Sequence, residues 1–207
     1  MKCLVVVAHP DDEMIWMGGL ILRHPRWKWQ VISLCRADDP DRVPRFNLAA
    51  KQTGVSAYIS DLDDSPMLAP LSPDLREIKQ RVSALAEPQY DLIFTHGQNG
   101  EYARHERHSQ VHQAMRDIVD AGDIQGDLLC FAYDDDECSP RPAADADILF
   151  ELLEEEYARK RGIVREIYGF GPGSFEYESC GSVEAFRIYQ KTKTVGYLRS
   201  MLESPAR

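Results

Sequence analysis

The chain begins with an almost unbroken apolar, β-branched run from Cys3 to Ala8, the pattern of a strand buried on both faces. Polar residues interrupt it at 9–13. Met14 to Leu22 then predicts a helix that ends before Pro25, proline being a common stop signal just past a helix end. Trp29 to Cys35 predicts a second strand, Arg45 to Gln52 a helix stopped by Gly54, and Ala57 to Ser60 a short third strand. An irregular Asp- and Pro-rich stretch, 61–73, leads to Ser72-Pro73, a cap followed by proline at the first helical position. Beyond it Leu75, Ile78, Val82 and Leu85 recur at helical spacing. Asp91 to Thr95 is a further buried strand, Arg107 to Val119 a helix, and Asp127 to Ala132 another strand.

This alternation predicts an α/β fold: a Rossmann-like, open and mostly parallel sheet with helices on both faces. The last quarter is less regular. Ile148 to Leu153 reads equally as a strand or as the start of the helix through Glu154 to Tyr168. Gly169 to Gly173 reads as a loop, Ala185 to Tyr189 as a strand, and the tail as a short helix. No repeat, low-complexity tract or linker divides the chain, so residues 1–207 are expected to form one domain, as their number also suggests.

Thirty-four acidic against 24 basic residues give a formal charge of −10, which disfavours phosphate backbones and anionic membranes as partners. No apolar stretch approaches the roughly 20 residues that span a bilayer, and the short run after Met1 lacks the length and cleavage site of a signal peptide. The five cysteines are scattered without a CxxC pair, so neither a disulfide framework nor a cysteine zinc site is expected. The expectation is a cytoplasmic protein acting on a small molecule, without nucleic acid or membrane insertion.

Two polar clusters fall at strand ends, where open α/β sheets bind ligands. One is His9-Pro10-Asp11-Asp12-Glu13; the other runs from His96 to His108. A catalytic zinc site takes three N/O ligands from His and Asp or Glu, and its water becomes a nucleophile near neutral pH. Pro10 keeps His9 out of helical geometry, so one turn can aim His9 and Asp12 at a common point. His105 and His108, three apart, can share a helix face. The plainer alternatives are a polar loop in which Asp12 caps the next helix, and a solvated helix start for the histidine pair. His112 reads as packing or as support for the ligands, His96 as a pocket residue or a satisfied core histidine, and His24 as a surface residue. Arg36, Asp38 and Asp39, and Asp61 to Asp64, follow strands and are candidates for substrate contact. The runs 134–137 and 154–156 read as solvated charge.

Val5 to Glu13, with Gly100-Glu101-Tyr102 and His105-x-x-His108 downstream, resembles the PIG-L/LmbE-like family of zinc-dependent N-deacetylases. These include N-acetylglucosaminyl-phosphatidylinositol and N-acetylglucosaminyl-inositol deacetylases. The resemblance implies zinc held by His9, Asp12 and His108, with Asp11 as general base. It implies that His105 stabilises the oxyanion or protonates the leaving amine, that Tyr102 reaches the carbonyl oxygen, and that Arg45 contacts the substrate's polar head. The donor set also suits ferrous iron. The family usually writes the second motif Gly-His-Pro-Asp-His. Here Arg107 replaces the aspartate that orients the first histidine, leaving Glu101 or Glu106 as carboxylates able to take over.

The expected function is a zinc hydrolase removing an N-acetyl group from an amino-sugar-type substrate. One rival keeps the metal and cleaves another amide, such as a thiol conjugate. The other is a sugar- or nucleotide-binding module without catalysis; against it, no GxGxxG follows the first strand.

Overall fold

The computed structural model describes residues 1–64, 75–102, 106–134, 140–189 and 195–203. The chain runs β1 (Lys2–Val7), α1 (Asp12–Arg23), β2 (Lys28–Cys35), α2 (Arg42–Thr53), β3 (Ser56–Leu62), α3 (Arg76–Leu85), β4 (Gln89–Thr95), α4 (Glu106–Ala121) and β5 (Gln125–Phe131). It continues through β6 (Tyr133–Asp134), β7 (Arg141–Pro142), β8 (Ile148–Glu151), α5 (Glu154–Glu166), α6 (Phe175–Ser179), β9 (Val183–Ile188) and α7 (Val195–Glu203).

Seven strands form one sheet in the order β3-β2-β1-β4-β5-β9-β8. The first five are parallel, whereas β9 runs antiparallel to both β5 and β8. The chain therefore moves outward from β1 through β2 to β3, then returns to place β4 on the other side of β1. That reversal opens a crevice at the carboxyl ends of β1 and β4, where α/β sheets bind ligands.

Strand β1, flanked by β2 and β4, shows why its sequence is continuously apolar. Cys3, Val5 and Val7 face one buried cluster, and Leu4, Val6 and Ala8 face the other. The first cluster packs under α1, which is buried along nearly its whole length. Helix α1 departs from helical geometry at Met17 (φ −147°, ψ 17°). The N–H groups of Gly19 and Leu20 donate to the Glu184 carboxylate at 2.7 and 2.9 Å. Lys160 neutralises that carboxylate at 2.8 Å, both side chains being fully buried. Removing either partner would strand a buried charge, a loss of about 3–5 kcal/mol.

The irregular last quarter extends the same sheet. Ile148–Glu151 is a strand and the helix begins at Glu154, which resolves the ambiguity in the sequence. Helix α2 starts at Arg42, three residues before the sequence pattern suggests; Pro44 sits in its first turn, where a missing N–H forfeits no helix bond. The four described cysteines are buried free thiols. Among the described residues, no helix is long and apolar enough to cross a membrane.

Candidate metal centre and its cleft

The first motif is a turn shaped by an unusual backbone. Asp11 sits at φ 155°, ψ −27°, a region that strains an L-residue by about 1–3 kcal/mol. Glu13 restrains it, accepting the Asp11 N–H at Oε2 (3.1 Å) and the Tyr168 hydroxyl at Oε1. The Asp11 carbonyl accepts from Met14 and Ile15 at 2.9 Å and starts α1. Asp12 does not cap this helix. Its Oδ2 accepts the His9 N–H at 2.8 Å and its Oδ1 accepts Trp16 Nε1–H at 3.1 Å. Asp11 is turned the other way, towards Arg42, whose Nη1 donates to Oδ2 at 3.1 Å.

The second motif is organised by Glu101. Its Oε1 accepts Gly97 N–H at 2.8 Å, while Oε2 accepts from His96 Nδ1 at 2.9 Å and from His108 Nδ1 at 2.6 Å. A side chain at 97 is ruled out, because a Cβ there would lie 2.6 Å from the Phe131 carbonyl oxygen. His96 Nε2 accepts the Ala8 N–H at 2.9 Å, so both ring nitrogens are engaged and His96 is a satisfied core histidine stacked on His108. His108 differs, since its Nε2 points into the crevice.

Three atoms then converge. His9 Nδ1 lies 3.1 Å from His108 Nε2 and 3.3 Å from Asp12 Oδ2, and the last two are 3.5 Å apart. Zinc–N/O bonds of about 2.0–2.2 Å in a tetrahedron imply ligand separations of about 3.3–3.6 Å. The outer atom of each of these side chains is held by another group: His9 Nε2 by Asp64 (2.9 Å), Asp12 Oδ1 by Trp16, and His108 Nδ1 by Glu101. Outer partners of this kind fix ring tautomers at metal sites. They leave three acceptors facing one another, an arrangement that needs a proton or a cation at its centre. The donor set and its spacing fit a divalent ion.

The electrostatics agree. Burial alone would lower His9, but hydrogen bonds and charge from Asp12 and Asp64 outweigh it and raise its pKa to about 10. Burial would raise Asp12, yet the neighbouring imidazoles hold it well below its ordinary value. Burial and then the Asp12 charge push Asp11 well up. Burial opposes ionisation of Glu101, but charge and hydrogen bonds from His96 and His108 hold it at about 2. Cys35 also lies near His9 and Asp64, but burial pushes its thiol up to about 12, so it remains a thiol rather than a ready thiolate ligand.

Around these atoms is a cleft of about 250 Å³. Trp16, Tyr102 and Phe175 line one part, and Arg36, Asp39 and Arg42 another. Tyr102 packs 4.1 Å from Phe175 and edge-on to His108. Burial raises its hydroxyl above the ordinary tyrosine range.

Of the residues singled out from sequence, His9, Asp12 and His108 come together, with Asp11 and Tyr102 lining the same cleft. His105 lies outside the described residues, as do 135–137 of the acidic run. Arg45 is not in the cleft lining: it pairs with Asp41 at 2.9 Å and donates to the Ile167 carbonyl at 3.0 Å, and Arg42, one helical turn earlier, faces the cleft instead. His112 donates to the His96 carbonyl at 2.8 Å, a packing role. His24 is buried rather than at the surface, with Nε2 2.8 Å from the Leu202 carbonyl oxygen and its ring stacked on Trp27. Asp64 supports His9, whereas Asp61 pairs with Arg81. Sequence reasoning missed Arg42, and it missed Glu13 as a brace because nothing local links it to Tyr168.

Comparison with known proteins gives a consistent picture. The family model PIG-L, GlcNAc-PI de-N-acetylase, matches residues 4–119. An uncharacterized protein of Acanthamoeba polyphaga mimivirus is 24% identical over 188 residues, covering 81% of this chain and 75% of its own. N,N'-diacetylchitobiose deacetylase from Pyrococcus horikoshii shares the fold with a TM-score of 0.66 at 16% identity, over 91% of this chain and 83% of that one. GalB, the 4-carboxy-2-hydroxymuconate hydratase of Pseudomonas putida KT2440, shares it with a TM-score of 0.56 at 14% identity, over 93% and 98%. The family match spans more than half the chain and encloses both polar motifs, so this chain belongs to the PIG-L, GlcNAc-PI de-N-acetylase, family.

Proposed function

We propose that the chain is a metal-dependent N-deacetylase that hydrolyses the acetamide of an amino-sugar-type substrate, with zinc as its metal. The observation that carries this reading is the triangle of His9 Nδ1, Asp12 Oδ2 and His108 Nε2, whose outer atoms are held by Asp64, Trp16 and Glu101. When bound there, a divalent ion supplies Lewis-acid polarisation of an amide carbonyl and lowers the pKa of water.

The chain's own groups do the rest. Asp11 accepts the proton of the attacking water; burial beside Asp12 makes it a stronger base than a solvated carboxylate. Arg42 holds the Asp11 carboxylate through its Nη1 donor. Tyr102 keeps its hydroxyl protonated and so has a donor to offer the developing oxyanion. His105 protonates the departing amine. The partly exposed ring of Phe175 receives the apolar face of a sugar ring, while Arg36 and Asp39 meet its hydroxyls.

The test is acetate release by zinc-loaded protein across a panel of N-acetylglucosamine derivatives, with and without chelator. Chelator-sensitive release is expected. A metal-loaded protein that releases no acetate from any of them would overturn the deacetylase reading. It would favour another amide or, as on the same fold in the hydratase, a hydration, which releases no acetate.

A further inference from the structure

We propose that Arg107 is a positioning residue for His9, acting through Asp64, and that it takes this role at the place where the resembling family carries an aspartate directed at a histidine. The inference rests on the metal reading above. Arg107 precedes His108 on the first turn of α4 and is buried. A guanidinium cannot accept a hydrogen bond from an imidazole, so it cannot do what an aspartate does there.

Its contacts lead elsewhere. Nη1 donates to Gln110 Oε1 at 2.6 Å, which anchors the side chain on its own helix. Nη2 donates to the Asp63 carbonyl, and Nε stands 4.0 Å from Asp64 Oδ1. Asp63 and Asp64 follow β3 directly. Asp64 Oδ2 accepts from His9 Nε2 at 2.9 Å and from Arg36 Nη2 at 3.1 Å. The Arg36 side chain is 47% exposed and that of Arg107 is 8% exposed, so the Arg107 charge is the less screened of the two.

One side chain thus ties the helix carrying His108 to the segment that orients His9. It sets the tautomer and ring angle of one ligand from the element that supplies another. Loss of an outer partner of this type weakens metal affinity by about 10–100-fold.

The experiment is a thermodynamic cycle on zinc affinity, read by competition with a chromophoric chelator in the wild type, Arg107→Met, Asp64→Asn and the double variant. The absorption spectrum of the cobalt-loaded forms is recorded alongside. Each single variant is expected to weaken affinity by about 10–100-fold and to shift the cobalt spectrum, with the double variant no weaker than Asp64→Asn alone. If the two losses multiply, Arg107 acts through α4 and not through Asp64, and the proposal is overturned. It is equally overturned if Arg107→Met leaves affinity and spectrum unchanged. Should Arg107→Met not fold, Arg107→Lys replaces it in the cycle: retained charge without the two-armed contact is expected to give a smaller loss, again absent on the Asp64→Asn background. A wild type that takes up no zinc sinks the proposed function itself; zinc uptake with additive losses sinks only this inference.

Discussion

Glu101 is the residue whose replacement should report most clearly on the centre. It is fully buried and receives three donors: Gly97 N–H, His96 Nδ1–H and His108 Nδ1–H. In Glu101→Gln the amide oxygen can serve both imidazoles, but the amide NH₂ then faces the Gly97 N–H. One buried donor left unpaired costs about 1–3 kcal/mol. The carboxylate also contributes through its charge. Its pKa falls from 4.5 in the unfolded chain to about 2 in the folded one, and at 1.36 kcal/mol per pH unit that is about 3 kcal/mol. Because the folded value is the lower, this stability is present above pH 4.5 and disappears as the pH falls towards 2. Denaturant unfolding of metal-free protein from pH 2 to 7 should therefore show the variant about 4–6 kcal/mol less stable at neutrality, from the lost charge and the unpaired donor together, and the gap narrowing to about 1–3 kcal/mol in acid. Zinc affinity should fall by about 10–100-fold, since His108 loses its charged partner. A variant equal to wild type in both stability and affinity would refute this reasoning.

Other predictions follow the same contacts. Asp11→Asn should bind zinc normally and lose most turnover, whereas Asp12→Ala and His108→Ala should lose the metal; full activity in purified Asp11→Asn would remove it as the base. Glu13→Ala should release the strained Asp11 backbone, whose N–H keeps its bond to the His9 carbonyl, and leave the buried Tyr168 hydroxyl unpaired, lowering stability by about 1–3 kcal/mol. Its turnover should drop with metal content unchanged, as elemental analysis of the folded variant would check. His9, raised to about 10 in the absence of metal, must give up a proton when zinc binds. Apparent zinc affinity should then rise about tenfold per pH unit between pH 6 and 8; a pH-independent affinity would contradict the protonated His9.

Much of this architecture is legible in the sequence because its elements bury whole faces. The first strand is apolar at every position since the sheet is covered on both sides, and the polar break after it falls where the crevice opens. The last quarter resists reading for a physical reason. β8 alternates buried and exposed residues over only four positions, too short to separate from the helix that follows, and its antiparallel pairing with β9 depends on partners far along the chain. The residues proposed to hold the metal are legible as motifs, whereas their supports are not. Asp64 reaches His9 across 55 residues and Tyr168 reaches Glu13 across 155, so only the fold brings them together. Arg45 and Arg42 lie one turn apart on α2, and no local pattern shows which of them faces the cleft. His24 looks like a surface residue until Trp27 and Leu202 cover it.

The central claim is that one ion, held by His9, Asp12 and His108, is required for hydrolysis of an N-acetyl group. The direct measurement is a zinc titration of chelator-stripped protein, with bound metal and acetate release from an N-acetylglucosamine derivative followed together. The account predicts that acetate release appears with the first equivalent of zinc per chain, rises in proportion to occupancy and levels off at one. Acetate release from metal-free protein, or full zinc occupancy without any release, would contradict it.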